Sequence, residues 1–226
     1  MSPEDLIKFS PQIINSVNSL NQMYNLLEEL TLAVKSLYTD IACKSGCDTC
    51  CTGGNLAAVS FLEWSNIHKF INNNLNNDKI KIIIKNNNEI IQNYYEDLVL
   101  LHNNLTPETT IEKEKNRISY IVNKILPKFE KYKCPFLFEK QCLVYNDRPA
   151  KCRAHGFFAI MLGKDEIYLH TCDEEKKRWE IRFNNQQKRN VRLPLWNHVY
   201  SKIINLPNNT FSTLLPIWIY FNIKCI

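Results

Sequence analysis

From Ser10 onward, apolar residues recur three or four positions apart, at Ile13, Val17, Leu20, Tyr24, Leu27, Leu30, Val34, Leu37 and Ile41. That spacing lays one apolar stripe along a long helix. Ser10 suits the N-cap and Pro11 the first helical position, and the polar run at 18–21 predicts one break. The stripe is expected to pack on the chain's own core rather than against a second copy. Beyond a loop rich in Gly, Thr and Ser at 43–55 comes a short apolar stretch, Leu56 to Val59. Ser60 and Glu63 then have capping-box spacing at the head of a helix running to about Asn72. A second helix is predicted over about Asp78 to Asn103, with Ile80, Ile83, Ile84, Ile91, Tyr94, Leu98 and Leu101 inward. A third opens at Thr106-Pro107 and carries Ile111, Ile118, Ile121, Val122, Ile125 and Leu126 inward. The Asn-rich joints near 72–77, 86–88 and 102–104 read as helix ends and turns.

The pattern shortens from Cys134. Residues 134–145 alternate as a small hairpin turning over Glu139-Lys140-Gln141. Asn146-Asp147-Arg148-Pro149 reads as a turn leading into one or two helical turns that hold Cys152 and His155. Phe157 to Leu162 and Glu166 to His170 suit a second hairpin around Gly163-Lys164-Asp165, and 173–190 a helix. The tail is mixed, with Trp196, Trp218 and Phe221 expected on the core. The fold class is therefore α+β and mainly α-helical, with small hairpins. Three stretches are expected: an N-terminal helical arm at 1–42, a cysteine-bearing domain at 43–190 with a helical insert over about 56–130, and a C-terminal segment, 191–226, packing on the core.

With 226 residues, 45% of them hydrophobic, a core can form without disulfide staples. The N-terminal Met-Ser-Pro-Glu-Asp begins with early acids and no apolar run, unlike a secretory signal. The longest apolar run, Leu214 to Phe221, is too short to span a bilayer. A cytoplasmic protein without a membrane span is expected, in a compartment where stable disulfides are rare. Net charge is +5 with every thiol neutral. Eight thiolates against two divalent ions would nearly cancel it, so charge gives no case for nucleic acid. The basic stretch from Lys176 to Arg192 is interleaved with acids and amides and reads as a solvated helix face.

Nine cysteines change the picture. The first motif is Cys43-x3-Cys47-x2-Cys50-Cys51; the second is Cys134-x7-Cys142-x9-Cys152, with Cys172 further on. A Cys-x2-Cys pair on a tight loop sets two sulfurs at the spacing a tetrahedral ion requires. Cys43 and Cys47 lie one helical turn apart, and the adjacent Cys50 and Cys51 point different ways, serving two ions or leaving one a bystander. A hairpin over 135–141 would return Cys142 towards Cys134. Joining motifs 82 residues apart is entropically mild, because closure grows only logarithmically with length. A structural zinc contributes on the order of 10 kcal/mol. Eight cysteines are thus candidate ligands: Cys43, Cys47, Cys50, Cys51, Cys134, Cys142, Cys152 and Cys172. Cys225 reads as a small buried hydrophobe. His155 and His170 read as ordinary hydrogen-bonded histidines with ligation left open, while His68, His102 and His198 have no partner in view. Arg148 and Arg153 are placed to offset thiolate charge.

Cys43-x3-Cys47-x2-Cys50-Cys51, Cys134-Pro-Phe-Leu, and Cys142-Leu-Val-Tyr-Asn-Asp-Arg148-Pro149-Ala-Lys-Cys152-Arg153 together resemble the YkgJ/FliB cysteine-cluster family over about 43–172. That resemblance implies a zinc- or iron-chelating domain without a defined reaction. FliB-like members are flagellin lysine N-methylases, so the resemblance also raises an iron–sulfur-dependent protein-modifying enzyme. Five glycines and no strand leading into Gly-x-Gly speak against a Rossmann-type S-adenosylmethionine site. The radical-type spacing of Cys43, Cys47 and Cys50 is present, but a mainly helical chain of this size does not make the usual barrel. Thiolates suit zinc, iron or an iron–sulfur cluster such as 4Fe–4S alike, with iron favoured by the family. The favoured reading is a non-catalytic metal-binding protein whose helices leave room for a protein partner.

Overall fold

A computed structural model of the chain describes residues 1–41, 47–53, 55–162, 166–185 and 192–223. In chain order the helices are α1 (Pro3–Lys8), α2 (Ser10–Ser16), α3 (Leu20–Leu37), α4 (Phe61–Asn74), α5 (Asn77–Asn103), α6 (Ile111–Tyr120), α7 (Ala150–Ala154), α8 (Asp173–Asn185), α9 (Trp196–Ile204) and α10 (Leu215–Asn222). The strands are β1 (Ala58–Ser60), β2 (Leu137–Phe138), β3 (Gln141–Cys142), β4 (Phe158–Leu162), β5 (Glu166–His170) and β6 (Ser212–Leu214), paired antiparallel as β1-β6, β2-β3 and β4-β5. The protein is mainly helical α+β, as the periodicity implies. No helix among the described residues is long and apolar enough to cross a membrane.

The chain divides into two compact units. One comprises 1–45 and 152–209. In it the expected stripe holds: Val17, Leu20, Tyr24, Leu27, Leu30 and Val34 are buried, though Ile14 rather than Ile13 faces the core. The single expected break falls at 17–19, where Ser19 accepts the Gln22 N–H and caps α3, and a short helix that the pattern did not predict, α1, precedes Ser10. α8 is less solvated than its charges suggest. Trp179 and Arg182 are buried, and Arg182 pairs with the buried Glu175 at 3.0 Å and with Asp40 at 2.7 Å. Its guanidinium also lies 4.3 Å over Trp179. The 163–165 turn and the C-terminal end of the expected 173–190 helix lie outside the described residues.

The other unit comprises 46–151 and 210–226. The capping box forms at the head of α4: Ser60 accepts the Glu63 N–H while Glu63 accepts the Ser60 N–H. α4 and α10 share an aromatic stack in which Trp64 and Trp218 lie parallel at 5.6 Å and the Trp218 indole donates to Val59 O at 2.9 Å. A second cluster joins Leu56, Ile90, Leu98, Leu101, Ile125, Phe129, Tyr132 and Leu214. Three expectations fail here, wholly or in part. The third helix starts at Ile111, capped by Thr110, and Pro107 stays in the loop. Its inward face is kept only in part: α6 buries no residue and Ile111 is 64% exposed, while beyond α6 Ile125 is buried and Ile121 and Leu126 pack against that cluster. Trp218 is on the core, but Phe221 is 69% exposed.

Candidate metal centre

One 3₁₀ turn brings the described part of the first motif into position. Cys47 precedes a 3₁₀ turn over Thr49–Cys51, exposed, with its Sγ 3.3 Å from Thr49 Oγ1. Cys51 N–H donates to Asp48 O at 2.8 Å, and the Asn55 amide donates to Cys50 O at 2.7 Å, which together fix the doublet. Gly53 follows at φ +56°, where a side chain would be strained, and donates to Tyr132 O at 2.9 Å. Cys43 lies outside the described residues, so its expected helical turn with Cys47 does too; Cys47 itself is in a loop.

The second motif meets this loop directly. A π-turn over Ile121–Ile125 and a 3₁₀ turn over Leu126–Phe129 carry the chain to Tyr132, which is buried beside Phe129. Thr52 and Lys133 form an antiparallel bridge, flanked by the Gly53 bond and by Cys134 N–H donating to Cys51 O at 2.7 Å. Cys134 packs against the Phe129 cluster. The hairpin is tighter than the sequence suggests. β2 and β3 turn over Glu139-Lys140 alone, and Cys142 sits across from Leu137 rather than Cys134. Leu143 N–H donating to Phe136 O at 2.9 Å extends the ladder. Beyond it, Arg148 donates to Tyr145 O at 3.0 Å and stacks 3.9 Å over the Tyr145 ring.

The thiols of Cys50, Cys51, Cys134 and Cys142 therefore share one neighbourhood, and their electrostatics show the crowding. Cys50 is pushed well above the usual thiol range, first by its hydrogen bond to Cys51, then by burial and by the charges of Cys51 and Cys47. Cys51 is raised by its hydrogen bond to Cys134, against an opposing bond to Cys50, with burial and the charges of Cys134 and Cys142 adding to it. Cys142 is raised by burial, which outweighs the Val144 backbone and the Arg148 charge. As placed, no group of three or more His, Cys, Asp or Glu among the described residues stands in a geometry that could hold a metal ion. Cys51 instead shares hydrogen bonds with the thiols of Cys50 and Cys134. The donor chemistry fits a soft divalent ion nonetheless: several partly buried thiols resist ionising together, and a cation replacing their protons relieves that repulsion.

Searches of family models, of curated proteins and of solved structures find no match to this chain. The remaining candidates belong to the first unit. Cys152 is half-buried in α7, and Cys172 occupies the position before α8, its carbonyl accepting Lys176 N–H at 2.8 Å. His155 is buried. Sequence reasoning missed Glu63 as a supporting residue. Its buried carboxylate accepts Ser60 N–H at 2.9 Å and Ala150 N–H at 2.7 Å, fixing the chain between Arg148 and Cys152. The capping-box spacing signals Glu63, but nothing local signals Ala150.

Proposed function

We propose that this protein is a cysteine-cluster metal-binding protein, holding zinc, iron or an iron–sulfur cluster through both motifs. Cys50, Cys51, Cys134 and Cys142 are the core ligands, with Cys43, Cys47, Cys152 and Cys172 as the further candidates. The observation that carries the reading is the Cys134-to-Cys51 backbone bond at 2.7 Å, which sets side by side two thiols from motifs 82 residues apart. Four thiolates close a tetrahedral zinc or iron site with no open position, so the bound ion would supply structure or electron transfer rather than Lewis-acid catalysis. Arg148, rigidified by Tyr145, offsets part of the thiolate charge from outside the ligand set. The resemblance to the YkgJ/FliB pattern agrees with this reading, which rests on the residues themselves. A lysine-methylase activity gains no further support.

Anaerobic purification followed by metal and acid-labile sulfide analysis tests it. Zinc or iron at a whole-number ratio to protein is expected. Protein that retains no metal and takes none up when reconstituted would refute the proposal.

A further inference from the structure

Thr52 and Lys133 pair antiparallel, so Cys51 and Cys134 stand directly opposite each other, on the same face of the ladder. Opposed residues at such a hydrogen-bonded position have Cα atoms about 5.5 Å apart. Disulfides span about 4.4–6.8 Å. Neighbouring residues such as Cys50 and Cys51, about 3.8 Å apart, fall short of that window. Cys142 stands across from Leu137 in its own ladder, with no backbone pairing to the first motif among the described residues to hold it opposite Cys51. The ladder also ends here, because Cys51 N–H turns back to Asp48 O, so a single ladder bond holds this pair and leaves it free to close towards the shorter Cβ separation of a disulfide. Both residues are partly exposed, open to a small oxidant.

We propose that Cys51 and Cys134 form an oxidative modification site, joined by peroxide into a cross-strand disulfide. One sulfur, once its proton has passed to solvent, attacks peroxide as the thiolate; the O–O bond breaks, a sulfenic acid forms, and the departing hydroxide takes up that proton and leaves as water. The second sulfur attacks the first, the S–O bond breaks, the S–S bond forms and a second water leaves. The two thiols lose two electrons and two protons in all, and the peroxide takes up both. The disulfide withdraws two donors from the centre. That consequence, release of the ion, rests on the metal reading; the disulfide does not.

The test treats full-length, reduced, metal-free protein with stoichiometric hydrogen peroxide, alkylates the remaining thiols and maps non-reduced peptides by mass spectrometry. A dominant Cys51–Cys134 peptide, lighter by two hydrogens than its reduced halves, is expected. A different dominant pair, or oxidation stopping at unpaired sulfinic acid, overturns the proposal. The same treatment of zinc-reconstituted protein, with a chromophoric chelator present, is expected to free zinc in step with the disulfide. A Cys51–Cys134 link in a protein that never takes up zinc or iron would sink the metal reading and leave this one standing. Stable metal uptake without that link does the reverse.

Discussion

Glu139 and Lys140 hold φ values of +48° and +62°, the left-handed conformation at both central positions of a type I′ turn. Neither is a glycine or an asparagine, so the turn that presents Cys142 is strained by about 1–2 kcal/mol per residue. Lys140→Gly should therefore raise stability by about 1 kcal/mol, read as a higher urea midpoint; an unchanged or lower midpoint would mean the turn carries no such strain. The polar Glu-Lys-Gln run announced a turn, but its length was hidden because the Asn-Gly signal is missing. Glu63 shows the same division. Its capping role is local and readable, while its bond to Ala150 spans 87 residues and leaves no trace in the pattern. Glu63→Ala strips two buried backbone donors of their acceptor and is expected to destabilise by about 2–3 kcal/mol, measured by chemical denaturation. A loss under 0.5 kcal/mol would show that water replaces it.

Helices longer than three turns were readable because each repeats its apolar stripe: α3, α4 and α5 lie within a few residues of expectation. α6 was misjudged because periodicity shows which face is apolar, not whether a partner covers it. Arg117 bonds to Glu114 and to Asn104 O, local contacts that hold α6 without a buried side chain. Amides of α6 should exchange with deuterium well before those of α5, which buries seven residues. Equal protection in hydrogen-exchange mass spectrometry would show that α6 is covered after all. The β1-β6 ladder was invisible for another reason. Three residues offer too little alternation, and Ala58 meets Leu214 from the far end of the chain.

At the scale of the whole molecule, Cys50 and Cys51 of the first motif share one neighbourhood with Cys134 and Cys142 of the second. What spacing could not show is that the meeting is made by backbone, through the Thr52–Lys133 bridge, before any ion is considered. Crowding raises the Cys50, Cys51 and Cys142 thiols, so the metal-free fold keeps protons that the unfolded chain loses above about pH 8.5. Stability from this source is intact below that pH and falls as pH rises past it. Metal-loaded protein, its thiolates already ionised, should instead gain urea midpoint as pH rises from 7 towards about 8.5, where the unfolded chain still holds its thiol protons, and level off above that; a flat profile in the metal-free form would contradict the crowding. The most direct measurement is the metal content of Cys134→Ser beside the wild-type protein, each reconstituted anaerobically and each checked for folding by circular dichroism. If both motifs serve one centre, the folded variant loses that centre's full complement of metal or binds it at least tenfold more weakly. Unaltered stoichiometry and affinity in the folded variant would contradict a centre shared between the two motifs.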